Sequence, residues 1–338
     1  MKTDKILLGH GSGGQLSNEL INKVFIKHFS NKTLDILSDA CILKINQSHI
    51  AFTSDSFVVD PIFFLGGNIG KLAICGTVND IAVSGAKPLY LSTAFIIEEG
   101  FSISKLEEIV KTMAEEAKKA GIKIVTGDTK VVNKGKCDKI FINTTGIGSI
   151  LEKRKHIGSG KNIKPGDKII INGSIGDHGI AVMSARNDLK ISSPVISDCA
   201  CLHKLIEKSF EISENIKFMR DATRGGLASI LAEIVENKQF GIEIEEENVP
   251  VKETVRGMCE LLGFDPFYVA NEGKFVMIVE ANDAEAIVNM LRTQEFGSEA
   301  AIIGEVVDKH HGKTVINTSI GGQRILDMLS AEQLPRIC

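Results

Sequence analysis

The sequence predicts a two-domain α/β (α+β) protein built around a mixed sheet, and three observations carry that reading. Strand-like and helical apolar periods alternate along the chain. The 338 residues exceed the roughly 100 to 200 of a single domain. A stretch rich in lysine, glycine and serine, residues 153–167, interrupts the pattern near the middle. The boundary falls there, which gives an N-terminal domain 1–155, a C-terminal domain 156–322 and a mobile tail 323–338. The 43% hydrophobic and 24% charged residues exclude disorder and collagen-like repeats. A net charge of -4 without a basic block excludes a nucleic-acid partner. Charges interrupt every long apolar run and no signal-peptide core forms, so a cytoplasmic chain with no membrane segment and with reduced thiols is expected.

Short apolar runs at Thr33 to Leu37, Cys41 to Ile45 and Ile50 to Thr53, separated by polar pairs, read as strands of a meander. The glycine-containing apolar run Leu72 to Gly85 reads as a helix with Asn79 and Asp80 set into it. Leu106, Ile109, Val110, Met113, Ala114 and Ala117 keep helical spacing over 104–120, with Ser104 and Glu107 as a capping box and Gly121 as the stop. Strands flank this helix at Leu89 to Ile97 and Ile122 to Thr126. The second half repeats the alternation: strand Lys168 to Asn172, helix around Leu227 to Val235, strands Ile242 to Ile244 and Phe275 to Val279, and helix Ala284 to Arg292.

Three carboxylates, Asp39, Asp55 and Asp128, follow strand-like runs, and hard oxygen ligands at strand ends suit Mg²⁺. Each of them also suits a plain turn. Asp80 either turns to solvent or needs a cation, because an unpaired carboxylate in an apolar helix costs several kcal/mol. In the segment 220–226, Thr223 is placed to cap a helix opening on Gly225 and Gly226, whose bare N–H groups suit a phosphate. Cys338, the last residue of the sequence, lies too close to the end for a prenylation box and is read as a carrier arm or a frayed end. Cys199 and Cys201 lack the second pair of a zinc site, so these and the other internal cysteines read as buried hydrophobes.

The motifs GHGSGG (9–14), TSDS (53–56), TVNDIAVSGAKP (77–88), TGDTKVV (126–132), GDHG (176–179), RDATRGGLA (220–228), NEG (271–273) and PRIC (335–338) occur in this order. Together they resemble the HypE family of hydrogenase maturation proteins, the carbamoyl dehydratases, over essentially the full length. The internal motifs are shared with aminoimidazole ribonucleotide synthetase, selenophosphate synthetase and thiamine-monophosphate kinase. The resemblance implies an N-terminal sheet that forms a β-barrel in a homodimer, a C-terminal α/β sandwich, and ATP bound between them. It implies that the carbamoyltransferase HypF loads a carbamoyl group on Cys338. ATP-dependent dehydration then gives a thiocyanate, whose cyanide passes to iron on a HypC-HypD complex. By motif, Asp55, Asp80 and Asp128 hold magnesium. Asn79, Gly127, Thr129, Arg224 and, more weakly, Asp39 join them around ATP, while Lys130, Glu272 and Cys338 are catalytic. The resemblance implies that His178 and Arg224 contact nucleotide or tail, although a histidine after a glycine turn equally suits a cap or the surface. Two other readings stay open: a sister enzyme that phosphorylates a small molecule, and a non-enzymatic metal chaperone using Cys338. Selenophosphate synthetase itself loses its nucleophile, since no Cys precedes Cys41.

Overall fold

The computed structural model describes residues 5–11, 14–186, 194–329 and 336–338. Two short helices, Gln15–Leu20 (α1) and Lys27–Phe29 (α2), precede the first sheet. That sheet is formed by Cys41–Ile45 (β1), Ser48–Phe57 (β2), Ala86–Glu98 (β5), Lys123–Val132 (β6) and Ile140–Ile150 (β7), in the order β1-β2-β7-β5-β6. A small ladder, Phe63–Phe64 (β3) with Gly67–Asn68 (β4), leads into helix Ile69–Val83 (α3), and Ile103–Ala120 (α4) joins β5 to β6. Only the β5–β6 pair is parallel, as expected for strands joined through a crossover helix.

Thr33 to Leu37, expected as a strand, is a 3-10 turn at Leu34–Ile36 closed by Leu37 in the left-handed region, φ 52°. No neighbouring strand is there to accept it as a ladder. Helix α4 ends as expected on Gly121, φ 70°, but its N-cap residue is Ser102 and no side chain caps it, so the Ser104/Glu107 capping box does not form. Helix α3 starts on Asn68, whose side-chain oxygen accepts from Gly70 N at 2.9 Å and Lys71 N at 3.2 Å, satisfying two orphan donors of the first turn. Nearly every α3 residue is buried, because the helix packs on the β2–β7–β5 sheet and α4 on one side and on the C-terminal domain on the other.

The C-terminal domain contains Lys168–Ile171 (β8), Asp177–Ser184 (α5), His203–Ile212 (α6), Ile216–Asp221 (β9), Gly226–Val235 (α7), Gly241–Glu245 (β10), Glu253–Leu262 (α8), Phe275–Val279 (β11), Ala281–Arg292 (α9), Ala301–Val307 (β12), Thr314–Asn317 (β13) and Gln323–Leu326 (β14). Its sheet runs β14-β13-β10-β12-β8-β11-β9, antiparallel except for β10–β13. Residues 323–326, expected in the mobile tail, are therefore an edge strand on β13. The two domains share apolar cores: Val182, Met183, Cys199, Ala270 and Ile337 pack into the cluster built on Phe57, Leu72, Leu91 and Ile142. Among the described residues no helix is long and apolar enough to cross a membrane.

The strand pairing also explains Gly127. A Cβ on this residue would lie 2.2 Å from the Thr93 carbonyl oxygen of the neighbouring strand. Gly127→Ala is expected to push β6 off β5 and destabilise the fold by about 1–3 kcal/mol in urea unfolding. Full stability would mean that the strand moves aside freely.

Candidate functional site

Four aspartates, three on secondary-structure elements and one in a loop, interact through their charges where the two domains meet. Asp39 lies in the loop before β1, Asp55 in β2, Asp80 in the last turn of α3 and Asp221 at the end of β9. Asp55 and Asp128 are inside their strands rather than past the ends, so strand-end geometry does not describe them. Asp55 points at α3, where its Oδ2 accepts from Thr77 Oγ1 at 2.9 Å. Thr77 and Thr144 share a further hydroxyl contact at 2.5 Å. Thr53 Oγ1 donates to Asp80 Oδ2 at 2.8 Å, and Asp39 forms an ion pair with Arg220 Nε at 3.1 Å. Arg220 also pairs with Glu233 at 2.9 Å.

These carboxylates hold one another's proton affinity up. Burial comes first, then the charges of Asp55, Asp221 and Asp39, in raising the Asp80 carboxyl well above the ordinary range. Asp221 is raised well above it too, by burial and then by Asp39 and Asp55. Asp55 is raised by burial, against the opposing hydrogen bond from Thr77 and the charge of Arg224. Asp80 thus faces the junction, with the charge of Arg224 acting on it and no ion pair to a basic side chain among the described residues.

Glu272 lies at the same junction, 3% exposed, with its carboxyl raised well above the ordinary range by burial and by Asp221 and Asp198; its Oε1 has no hydrogen-bond partner among the described residues. Asp198 fixes its backbone. The two Asp198 oxygens accept from Glu272 N at 3.1 Å, Gly273 N at 3.2 Å and Lys274 Nζ at 3.0 Å.

The chain end is seated in this junction. Ile337 is 3% exposed, and its carbonyl lies 2.8 Å from His178 Nε2, while Ser197 Oγ holds the other ring nitrogen at 2.8 Å. Of the two partners foreseen for His178, the tail is the one observed. Arg336 pairs with Asp138. Burial pushes the Cys338 thiol up to about 12, with Arg224 opposing and Glu272, Asp55 and Asp221 adding to the rise. The thiol is therefore protonated at neutral pH while seated, and a protonated thiol is a poor nucleophile. Residues 336–338 are docked, and residues 330–335 of the expected mobile tail lie outside the described residues.

The remaining expected residues divide. Arg224 is exposed and donates to Gly11 O at 2.8 Å, while acting on Cys338 and Glu272 through its charge. Asn79 is committed to backbone: it donates to Ala200 O at 2.9 Å and accepts from Leu202 N at 2.8 Å. Asp128 and Lys130 pair with each other at 2.7 Å on β6, exposed and three strands from Asp55. The register places Asp128 in the row of Ala94, Asn143 and Ser56, whereas Gly127 shares the row of Thr93, Thr144 and Asp55. Side chains of adjacent rows point to opposite faces, so within one chain Asp128 and Lys130 do not join the acidic cluster. Thr129 lies on the Asp55 face but on the same distant strand. Thr223 is not the α7 cap; Gly225, φ 75°, occupies that position. Sequence reasoning missed Asp198, Asp221 and the hydroxyls of Thr53, Thr77 and Thr144. Asp221 carried the same signal as Asp39 and Asp55, an acid after a strand-like run.

Models described as the N-terminal and C-terminal domains of AIR synthase related proteins match residues 37–150 and 164–317. The fold is therefore that of the AIR synthase-related class. The chain is 45% identical to the carbamoyl dehydratase HypE of Rhodobacter capsulatus, over 100% of this chain and 99% of that protein. It is 46% identical to that of Escherichia coli K12, over 99% and 100%. A solved structure of a HypE-HypF complex superposes with a TM-score of 0.85 at 51% identity, covering 92% of this chain and 99% of the other. A structure of the hydrogenase maturation protein HypE in complex with ATP does so with 0.81 at 48%, covering 99% and 100%. The chain belongs to the carbamoyl dehydratase HypE family of hydrogenase maturation proteins.

Since the acidic cluster binds protons more tightly folded than unfolded, stability is lost as pH rises from the unfolded carboxylate values through the raised folded ones. Asp80→Asn keeps an acceptor for Thr53 and removes one charge. It is expected to stabilise the metal-free protein by about 1–2 kcal/mol near pH 8, with little effect near pH 4. Thermal unfolding in chelator at the two pH values checks this, and equal shifts at both would place the effect in packing. Alkylation is the readout for the thiol: His178→Ala should speed modification of Cys338 by iodoacetamide about tenfold over the seated form. An unchanged rate would show that His178 does not hold the seat.

Proposed function

We propose that the protein dehydrates a carbamoyl group carried on Cys338 to a thiocyanate at the expense of ATP, and so supplies the cyanide ligand for the iron of nickel-iron hydrogenase. The observation that carries this reading is the seating of the Cys338 thiol among Glu272, Arg224, Asp55 and Asp221. The net change is R–S–C(O)NH₂ + ATP → R–S–C≡N + ADP + phosphate + H⁺. The carbamoyl oxygen takes the γ-phosphoryl group and leaves as phosphate, while nitrogen loses both protons. Glu272 is the base that removes them: a carboxylate held high in its proton affinity accepts a proton readily, and its unpartnered Oε1 is free to do so. The Arg224 guanidinium stabilises charge that develops on the departing oxygen.

The acidic cluster fits Mg²⁺, because its hard oxygen donors repel one another until a cation arrives. Asp55 and Asp80 would hold the ion, with Asp39 and Asp221 around them, and the ion would screen the triphosphate charge. Asn79 fixes the loop 200–202 instead of touching phosphate. Asp128, Thr129 and Lys130 would serve the site from β6 of a second copy. A homodimer is supported by the exposed edge strand β6 and by the cross-strand row Phe52, Ile147 and Tyr90, exposed on the outer face of the sheet, where two sheets would close as a barrel. The ATP complex and the HypF complex of the HypE structures described above support ATP as phosphoryl donor and HypF as the carbamoyl source. Delivery of cyanide to a HypC-HypD complex and a cytoplasmic setting complete the reading.

Intact-mass spectrometry tests it. With HypF and its substrates, then Mg²⁺ and ATP, the wild type should gain one carbamoyl group on Cys338 and then lose one water. Cys338→Ala should bind ATP but accept no carbamoyl group. Glu272→Gln should load normally and dehydrate about 10²–10⁴-fold more slowly. ATP turnover with an unmodified thiol would favour the small-molecule kinases of the class.

A further inference from the structure

A second donor set lies outside the acidic cluster. Cys75 is in the middle of α3, Glu116 in α4 and Cys201 two residues before α6. One ligand atom of each lies within 4.8 Å of the other two. The Cys75 and Cys201 sulfurs are 3.5 Å apart. Two thiolates on one tetrahedral zinc ion, at Zn–S near 2.3 Å, stand about 3.8 Å apart. A disulfide needs about 2.05 Å. At 3.5 Å the two thiols are in hydrogen-bond contact, too far apart for a disulfide and close to the separation two zinc ligands would take. Cys199 also raises the proton affinity of the Cys75 thiol, which marks a third sulfur close to the group.

The surroundings hold the donors still. Cys75 is fully buried, Cys199 is 2% and Glu116 9% exposed. One turn along α3 from Cys75, Asn79 grips Ala200 O and Leu202 N, the residues on either side of Cys201. The CxC pair therefore meets its missing partners across the domain boundary, where a one-dimensional spacing pattern cannot register them. The Glu116 carboxylate takes Lys119 Nζ at 2.7 Å, and that lysine is exposed and can swing to water.

We propose that Cys75, Cys201 and Glu116, joined by Cys199, form a structural zinc site that ties α3 and α4 to the loop 198–202. Binding exchanges each ligating S–H for a Zn–S bond, sends one proton per thiol to solvent and leaves every oxidation state unchanged. Sulfur-rich sets with one carboxylate select Zn²⁺ over Mg²⁺. Asp198, which mounts the backbone of Glu272 and Gly273, begins the tied loop, so zinc would stiffen that mount.

The full-length protein, stripped with chelator under reducing conditions, is titrated with Zn²⁺ and separately with Co²⁺. One zinc per chain should survive dialysis. The cobalt form should show an intense thiolate-to-metal absorption, unchanged in Cys338→Ala. Cys201→Ala, at a half-buried position, should keep the far-ultraviolet circular dichroism of the wild type and lose both signals; Cys75→Ser should lose them too. Glu116→Gln should bind zinc about 10-fold more weakly. The site is overturned if the wild type gives no thiolate absorption, if folded Cys201→Ala retains it, if Cys338→Ala abolishes it, or if peptide mapping of reduced protein finds Cys75 and Cys201 disulfide-bonded.

Discussion

Burial of α3 on all sides is the constraint on which the rest of the molecule depends. A surface helix buries one stripe and leaves the other face wet. Residues of α3 instead touch the N-terminal sheet, α4, α6 and β9. Such a helix tolerates a polar side chain only where a partner waits for it. Thr77 finds Asp55 and Thr144, and Asn79 finds two backbone groups of the other domain. The domain interface and the site are consequently one object, and a change that loosens either loosens both.

The chemistry follows from the same dryness. Low polarizability around the junction raises the proton affinity of Asp80, Asp221 and Glu272 together, and each charge raises its neighbours further. Arg220 offsets Asp39, and Arg224 acts on the thiol and Glu272. The cluster is left short of positive charge among the described residues. Glu272 Oε1 has no hydrogen-bond partner among the described residues, while Asp198 holds the backbone that carries it.

Local patterns were legible in the chain wherever a single element carried the signal. β1 runs Cys41–Ile45 as read, α4 stops at Gly121, and Asp80 inside an apolar helix announced a buried charge. What escaped depends on pairing between distant segments. Thr33 to Leu37 has strand composition but no strand beside it. Gly127 looks like a phosphate-loop glycine and is small because the Thr93 carbonyl is close. Asp128 and Lys130 share a motif with residues of the site, yet the strand order carries them to the far edge. Residues 323–326 were assigned to the tail because a four-residue run of mixed polarity carries no strand signal by itself; its partner β13 lies 6 to 12 residues back across a hairpin.

The seat of the last three residues holds them chiefly by main-chain oxygens, with backbone and side-chain donors on the other side. Val58 N donates to Cys338 O at 3.1 Å and Asp60 N to Arg336 O at 3.1 Å, while Arg336 Nε returns a bond to Val58 O at 3.0 Å. Arg186 Nη2 adds a bond to Arg336 O at 3.1 Å, and His178 meets Ile337 O. None of these contacts touches sulfur. The grip is therefore indifferent to the sulfur: a substituent on the thiol would leave the same main chain in place, and only the groups facing the sulfur would sense it.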